Sequence, residues 1–398
     1  MLPAPRLGDR TLFPALAARA YLAHAALSPP SAPLRASVDA HLDALATHGA
    51  GAFGGAVAQR ERVRTKLASM INASVREIAL VPNTSLGVTH VAMAFPWKPG
   101  DRVLLFKGEF PANVTPWQRA AALFGLDIAW VDADLARTDP ERFLAAVDAV
   151  CAGGVRVVAV SAVQFQTGLR MPLRELSERA HRVGAALCVD GIQGLGAVPV
   201  DVERDGVDAY AAGGHKWLMG VEGAGMLYLR ADLARTLRPH LAGWLSHDDA
   251  FGFLLRGPGL LSHDKGFRDD AGLVEGGTPS AAGYAALEAS LDVLLGLGVA
   301  NVYAHVNAYL DGLEAALVER GFRSLRGANA GQRSCILGTI PPTHDAPWWS
   351  KELADRGVMT SCPDGVLRFA PHWPNDLARE LPAVCDAVDS AREESPSP

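Results

Sequence analysis

The chain has 398 residues, 49% hydrophobic and 20% charged, with a formal net charge of -6. That balance suits a globular protein with a large core. With no basic cluster anywhere, it excludes a surface built to grip nucleic acid. Five cysteines are scattered without a C-x-x-C pair, and twelve histidines show no H-x-H or H-x-x-x-H spacing. A zinc site or metal hydrolase therefore fails on spacing, no metal is expected, and the thiols suit a reduced, cytoplasmic protein.

No uncharged apolar stretch reaches the ~18–20 residues of a membrane helix, so no membrane partner is expected. The start, LFPALAARAYLAHAAL, imitates a signal peptide, but Pro14 and Arg19 interrupt it and no basic region precedes it. It reads as structure. Residues 31–72 carry apolar residues at helical spacing, broken at HGAGAFGG. Gly49, Gly51 and Gly54 match G-x-G-x-x-G formally, yet they follow a helix where a dinucleotide loop must follow a strand. The segment reads as a loop between helices.

From Glu77 the pattern changes to short apolar runs alternating with helical segments: EIALVPNTS, DRVLLFKGEFPAN, DIAWVDADL, VRVVAVSAVQ, ALCVDGIQ, DAYAAGGHK and GAGMLYLR. This predicts an α/β fold with a mostly parallel sheet covered on both faces. A long helix begins near Ser280, and a second, smaller α/β pattern follows it. The expected division is a large domain over 31–285, a smaller one over 286–390, and a polar, Pro-rich flexible tail over 391–398.

Two of these elements carry chemistry. Asp190 ends the apolar run ALCVD, and Lys216 follows a Gly-Gly-His turn. The carboxyl ends of strands are where open α/β sheets bind ligands. A carboxylate there beside an imine-forming lysine is what pyridoxal 5′-phosphate needs: the lysine makes the Schiff base and the acid keeps the pyridine nitrogen protonated.

The pattern V-D-x-x-Q followed by G-H-K-W-L-M-G-x-E-G-x-G-x-L-Y resembles the class V aminotransferase family, which includes cysteine desulfurases, kynureninases, isopenicillin-N-epimerase-like proteins and C–S lyases. The resemblance runs from Tyr21 to Asn375. It implies the pyridoxal-phosphate-dependent transferase fold of type I, with residues 1–30 joining the small domain. It makes Lys216 the Schiff-base lysine, Asp190 the pyridinium partner and Gln193 a donor to the phenolic oxygen, with His215 beside them. In VPNTSLG, Asn83, Thr84 and Ser85 read by themselves as a helix cap; the resemblance makes them the phosphate-binding turn. Phe110 in KGEFPANVTPW is implied to stack on the cofactor, where desulfurases mostly carry histidine. Gln164 in SAVQFQTGL is implied to face cofactor or substrate.

Thr278 in VEGGTPSAAG is implied to reach the phosphate of a neighbouring subunit, which makes the protein a homodimer with shared active sites. Arg368 in VLRFAPHW is implied to bind the substrate carboxylate, and an arginine within an apolar strand itself calls for an anionic partner. Some positions depart from the family. Gly213 stands where relatives usually have serine, and Pro374 replaces a tyrosine. Cys362 lies on a short loop without the desulfurase R-x-G-x-x-C pattern, and reads as a small loop or core residue. His372 reads as structural. Trp244 and His247 are placed near the mouth of the site by positional analogy.

The expected activity is chemistry at Cα and Cβ of an amino acid. Elimination of the C–S lyase type comes first, transamination next and epimerisation third. A non-catalytic pyridoxal-phosphate-binding regulator is the reading from another class.

Overall fold

In β3 (Arg102–Lys107), Val103 and Leu105 point to one side of a sheet, Leu104 and Phe106 to the other, and all four are fully buried. The same alternation in Val157–Ser161 sends Val157 and Ala159 to one core and Val158 and Val160 to the other. Strands apolar on both faces must be covered on both faces, which is why the helices fall on either side.

The computed structural model describes residues 2–394. Its strands are β1 (Ala20–Tyr21), β2 (Ile78–Val81), β3, β4 (Asp127–Asp132), β5 (Val157–Ser161), β6 (Ala186–Asp190), β7 (Ala209–Gly213), β8 (Gly225–Leu229), β9 (Arg323–Ser324), β10 (Leu337–Ile340), β11 (Val358–Met359) and β12 (Leu367–Phe369). The main sheet has the order β2-β8-β7-β6-β5-β3-β4. Strand β8 runs antiparallel to both neighbours and the other pairings are parallel. The mostly parallel α/β sheet expected from the apolar runs is present. Ser161, Asp190 and Gly213 end adjacent strands on one edge, with Ser161 opposite Asp190 in register.

The helix Thr84–Ala94 leaves β2 and lies flush on β7. A side chain at Gly87 would bring its Cβ within 2.9 Å of Ala211 Cβ, so glycine permits that approach.

A second, antiparallel sheet of order β12-β10-β9 is covered by the helices Val299–Glu319, Ala346–Asp355 and Leu377–Glu393. The N-terminal segment joins this part of the molecule: β1 pairs with β11, and Ala23 bridges Ala370. Leu12, Phe13, Ala20, Leu22 and Ala25 are buried in the main core, which accounts for the signal-like apolarity of that segment. Gly49–Ala52 forms a 3-10 turn running into the helix Phe53–Ile71, with no strand before it. The residues expected to open a flexible tail, 391–393, are helical. The last helix runs to Glu393 and buries Ala391, and residues 395–398 lie outside the described residues. No single helix among the described residues is long and apolar enough to cross a membrane.

Candidate active site

Asp190 sits at the end of β6, 1% exposed. Its Oδ1 accepts the Ile192 N–H at 3.0 Å, while its Oδ2 is buried without a hydrogen-bond partner. Burial pushes its carboxyl up to about 6, against the pull of that N–H and of Lys216. A buried acceptor left open costs stability unless something completes it.

Lys216 lies two residues beyond the Gly213–Gly214 turn after β7. Burial lowers its amine to about 8, opposed by Asp190 and reinforced by Arg368. The backbone around it is clamped from outside the large sheet. Ser28 Oγ donates to Lys216 O at 2.6 Å, Ser28 N–H donates to His215 O at 2.9 Å, and His24 Nδ1 meets Ser28 Oγ at 2.8 Å. His372 Nδ1 accepts the Trp373 N–H, so its Nε2–H donates to Trp217 O at 2.9 Å. His372 is thus a neutral, fully buried strut, lowered by burial to about 4.

Arg368, in β12, is 4% exposed and pairs with no carboxylate among the described residues. It is held by Ser361 Oγ at 3.0 Å and by the Phe165 carbonyl. Burial lowers it to about 10, a guanidinium waiting for an anion. Phe110 is 44% exposed, so it is no core residue. Its ring lies 5.7 Å from Lys216 Nζ and 5.3 Å, edge-on, from the Phe165 ring.

Thr84 is buried at the start of its helix, and its Oγ1 accepts the Gly213 N–H at 2.9 Å, joining the helix N-terminus to the end of β7. Ser85 is exposed beside it. Gly213 has a packing reason of its own: a Cβ there would meet the His215 ring at 3.2 Å and Ile192 Cδ1 at 3.0 Å. His215 fills the space a serine would take. Its imidazole is lowered by burial first and by Lys216 second.

Other expected residues are engaged differently. Asn83 Oδ1 caps the helix through Leu86 N–H at 2.8 Å, so its oxygen is already committed. Gln193 donates to Ala25 O at 3.0 Å and accepts from Trp217 Nε1 at 2.8 Å, leaving one amide N–H for a ligand. Gln164 points its amide at Glu109. Thr278 is exposed, and Ser280 instead caps the following helix. Trp244 packs on Phe251 and Phe253, and His247 stacks on Phe267, contacts that belong to their own segment. Cys362 packs against the main core at the start of a 3-10 turn. Glu109, Ser28 and His24 went unread in the sequence. Glu109 was signalled only by being an acid at the exit of an apolar strand.

A family model described as "Aminotransferase class-V" matches residues 34–365. The chain belongs to the class-V aminotransferase family. Among its relatives, an uncharacterized aminotransferase (YcbU) of Bacillus subtilis is 26% identical over 366 residues, covering 92% of this chain and 93% of that one. A probable cysteine desulfurase of Methanothermobacter thermautotrophicus is 31% identical over 300 residues, covering 74% and 71%. A solved cystine C–S lyase, C-DES, in complex with cysteine persulfide, superimposes with a TM-score of 0.84 at 22% identity, covering 95% and 99%; its likeness is one of fold.

This class-V member is a pyridoxal-phosphate-dependent enzyme. The residues fit that cofactor. A buried carboxylate oxygen lacks a donor, a buried amine lies under an exposed aromatic ring, and a helix N-terminus opens on the same edge.

Proposed function

We propose that the protein is a C–S lyase that eliminates a thiol from Cβ of a sulfur-bearing amino acid. The observation that carries this reading is the convergence of an orphaned carboxylate and a half-buried lysine at the carboxyl edge of the main sheet with an arginine that reaches them from the second sheet and, among the described residues, pairs with no carboxylate. Bound there, pyridoxal phosphate supplies an electron sink for the pair left on the substrate Cα.

Each residue then has a task. The helix start at Thr84 and Ser85 would hold the phosphate through backbone N–H groups and hydroxyls, with His215 alongside. Asp190 would keep the ring nitrogen protonated through Oδ2. Phe110 would stack on the ring, and Gln193 would turn its remaining N–H toward the phenolic oxygen. Arg368 would grip the substrate α-carboxylate with its planar fork and so orient the Cα–H bond. Lys216, displaced by the substrate amine, would take the Cα proton; an amine lowered to about 8 is roughly a fifth neutral near physiological pH, where an ordinary lysine is almost wholly protonated. A thiolate would then leave Cβ, and hydrolysis of the remaining three carbons would give pyruvate and ammonia.

Elimination is favoured over persulfide transfer because Cys362, half-buried and near Arg368, packs on the core at the start of a short 3-10 turn. The paired rings of Phe110 and Phe165 offer an apolar wall suited to a thioether side chain. Similarity to a desulfurase, whose name concerns the sulfur of cysteine, supports the same bond. Similarity along 92% of the chain to an uncharacterized aminotransferase favours amino transfer as the second reading.

We further infer a homodimer in which Thr278 serves the partner's phosphate, since it is exposed and unused by its own site. Exposed Leu241, Trp244, Leu255, Leu261 and Phe267 supply apolar surface to bury. The five free thiols suit the cytoplasm. The test is product analysis with cysteine, cystine, cysteine thioethers and alanine. Pyruvate and a thiol from sulfur-bearing substrates alone support the lyase. A keto acid that keeps the substrate side chain, formed with stoichiometric amino transfer, would replace it with the aminotransferase.

A further inference from the structure

Glu109 is half-buried at the exit of β3, its carboxyl turned onto Ser161 and Gln164, and, among the described residues, lies in no ion pair. Its Oε1 accepts the Ser161 N–H at 2.7 Å and the Gln164 Nε2–H at 3.1 Å, and its Oε2 meets the Ser161 hydroxyl. Asn113, 1% exposed in the turn after β3, accepts the Trp117 indole N–H at 3.3 Å through its Oδ1. One carboxyl therefore joins the turn after β3 to the end of β5 and to the turn beyond it.

The neighbours of those residues matter most. Glu109 precedes Phe110, and Gln164 precedes Phe165. The two rings sit 5.3 Å apart, Phe110 faces Lys216, and the Phe165 carbonyl holds Arg368. We propose that Glu109 is a positioning residue of the active site: its carboxylate locks the two turns together, so that Phe110, Phe165 and Arg368 keep their places around Lys216. This rests on the reading of that edge as the cofactor and substrate site.

The group is also an electrostatic member of the site. Ser161 stands opposite Asp190 in register, so Glu109, beyond the end of β3, approaches Asp190 across the end of the intervening β5, with Lys216 and Arg368 as the cations beyond. Burial, together with Asp190, raises Glu109 to about 7 against the hydrogen bonds of Ser161. Ionised, it is an acceptor toward every partner. Protonated, it must turn one oxygen into a donor.

The experiment compares holoenzyme of wild type, Glu109→Ala and Glu109→Gln. Pyridoxal phosphate affinity is read by tryptophan fluorescence on re-addition to resolved protein, and the visible band is titrated against pH. KM and kcat are measured with the best sulfur amino acid. Glu109→Ala is expected to weaken cofactor binding about 10- to 100-fold and to raise KM by a similar factor, as loss of hydrogen bonds to a buried charged group does. Glu109→Gln preserves the shape and keeps cofactor affinity within a few-fold. It lowers the midpoint of the visible titration, because a negative charge near the site's cations is gone. A merely structural glutamate would change thermal stability without moving that midpoint.

Glu109→Ala with wild-type affinity and KM, or Glu109→Gln with an unmoved midpoint, would overturn the proposal. If Glu109→Ala does not fold, the Glu109→Gln titration decides alone. Wild-type protein that takes up no pyridoxal phosphate would sink the site reading and this proposal together, whereas unaltered variants beside a normal wild type sink this proposal alone.

Discussion

Asp190 and Asp208 lie on neighbouring strands, and each is 1% exposed. Asp208, just before β7, accepts the Leu187 N–H at 2.6 Å, meets His181 Nε2 at 2.8 Å and forms an ion pair with Arg230. Asp190, at the opposite end of β6, has one backbone N–H and an open oxygen. Residue type and burial are the same, and each keeps one oxygen without a hydrogen bond; the difference is that the fold sets the Arg230 cation against that oxygen of Asp208, while Asp190 Oδ2 has no cation paired to it among the described residues. At the amino end of the strands the result is a structural joint. At the carboxyl end the fold leaves an acid and a lysine short of partners, and Arg368 of the second sheet, near Lys216, likewise pairs with no carboxylate among the described residues. A stable protein tolerates such loose ends where a ligand satisfies them.

The comparison can be broken from either end. Lys216→Ala should have the largest effect, abolishing the bound cofactor's visible band and lowering turnover at least about 1,000-fold. Asp190→Asn should reduce kcat/KM by about 100- to 1,000-fold, the usual scale for one preorganised electrostatic partner. Its stability effect has the opposite sign. The folded-state value of about 6 lies above the ordinary carboxyl value of 3.8, so ionisation opposes folding. That penalty is absent below 3.8, grows as pH rises through the window and is complete above about 6. Apoprotein carrying Asp190→Asn should therefore gain on the order of 2 kcal/mol in urea unfolding above that window, and nothing below it.

Asp208→Asn should do the reverse. It loses about 1–2 kcal/mol, because Arg230 is left without its buried partner, and keeps wild-type activity per folded molecule. Arg368→Lys should raise KM about 30-fold with a smaller change in kcat, since an ammonium cannot reproduce the two-pronged grip. Cys362→Ser should fall within about twofold of wild type in pyruvate formation. A large loss there would return the sulfur chemistry to a cysteine nucleophile.

The parts of this picture that were legible in the sequence are local. Apolar runs marked β3, β5, β6 and β7, and their ends placed Asp190 and the turn before Lys216. Arg368 betrayed itself as a charge inside an apolar strand. What could not be read depends on strand order. Glu109 meets Ser161 because β3 pairs with β5, a neighbour that chain order does not announce. The Ser28 and His372 struts on the lysine loop come from opposite ends of the chain.

Gln193 shows a further limit, since the motif names a donor but not its competitors, here Ala25 O and the Trp217 indole.

The most direct test of the central claim is covalent. Purified protein is saturated with pyridoxal phosphate, reduced with borohydride, digested and mapped by mass spectrometry. The account predicts one pyridoxyl adduct, on Lys216, absent from Lys216→Ala and much reduced in occupancy in Asp190→Asn. An adduct spread over surface lysines, or none on Lys216, would contradict it.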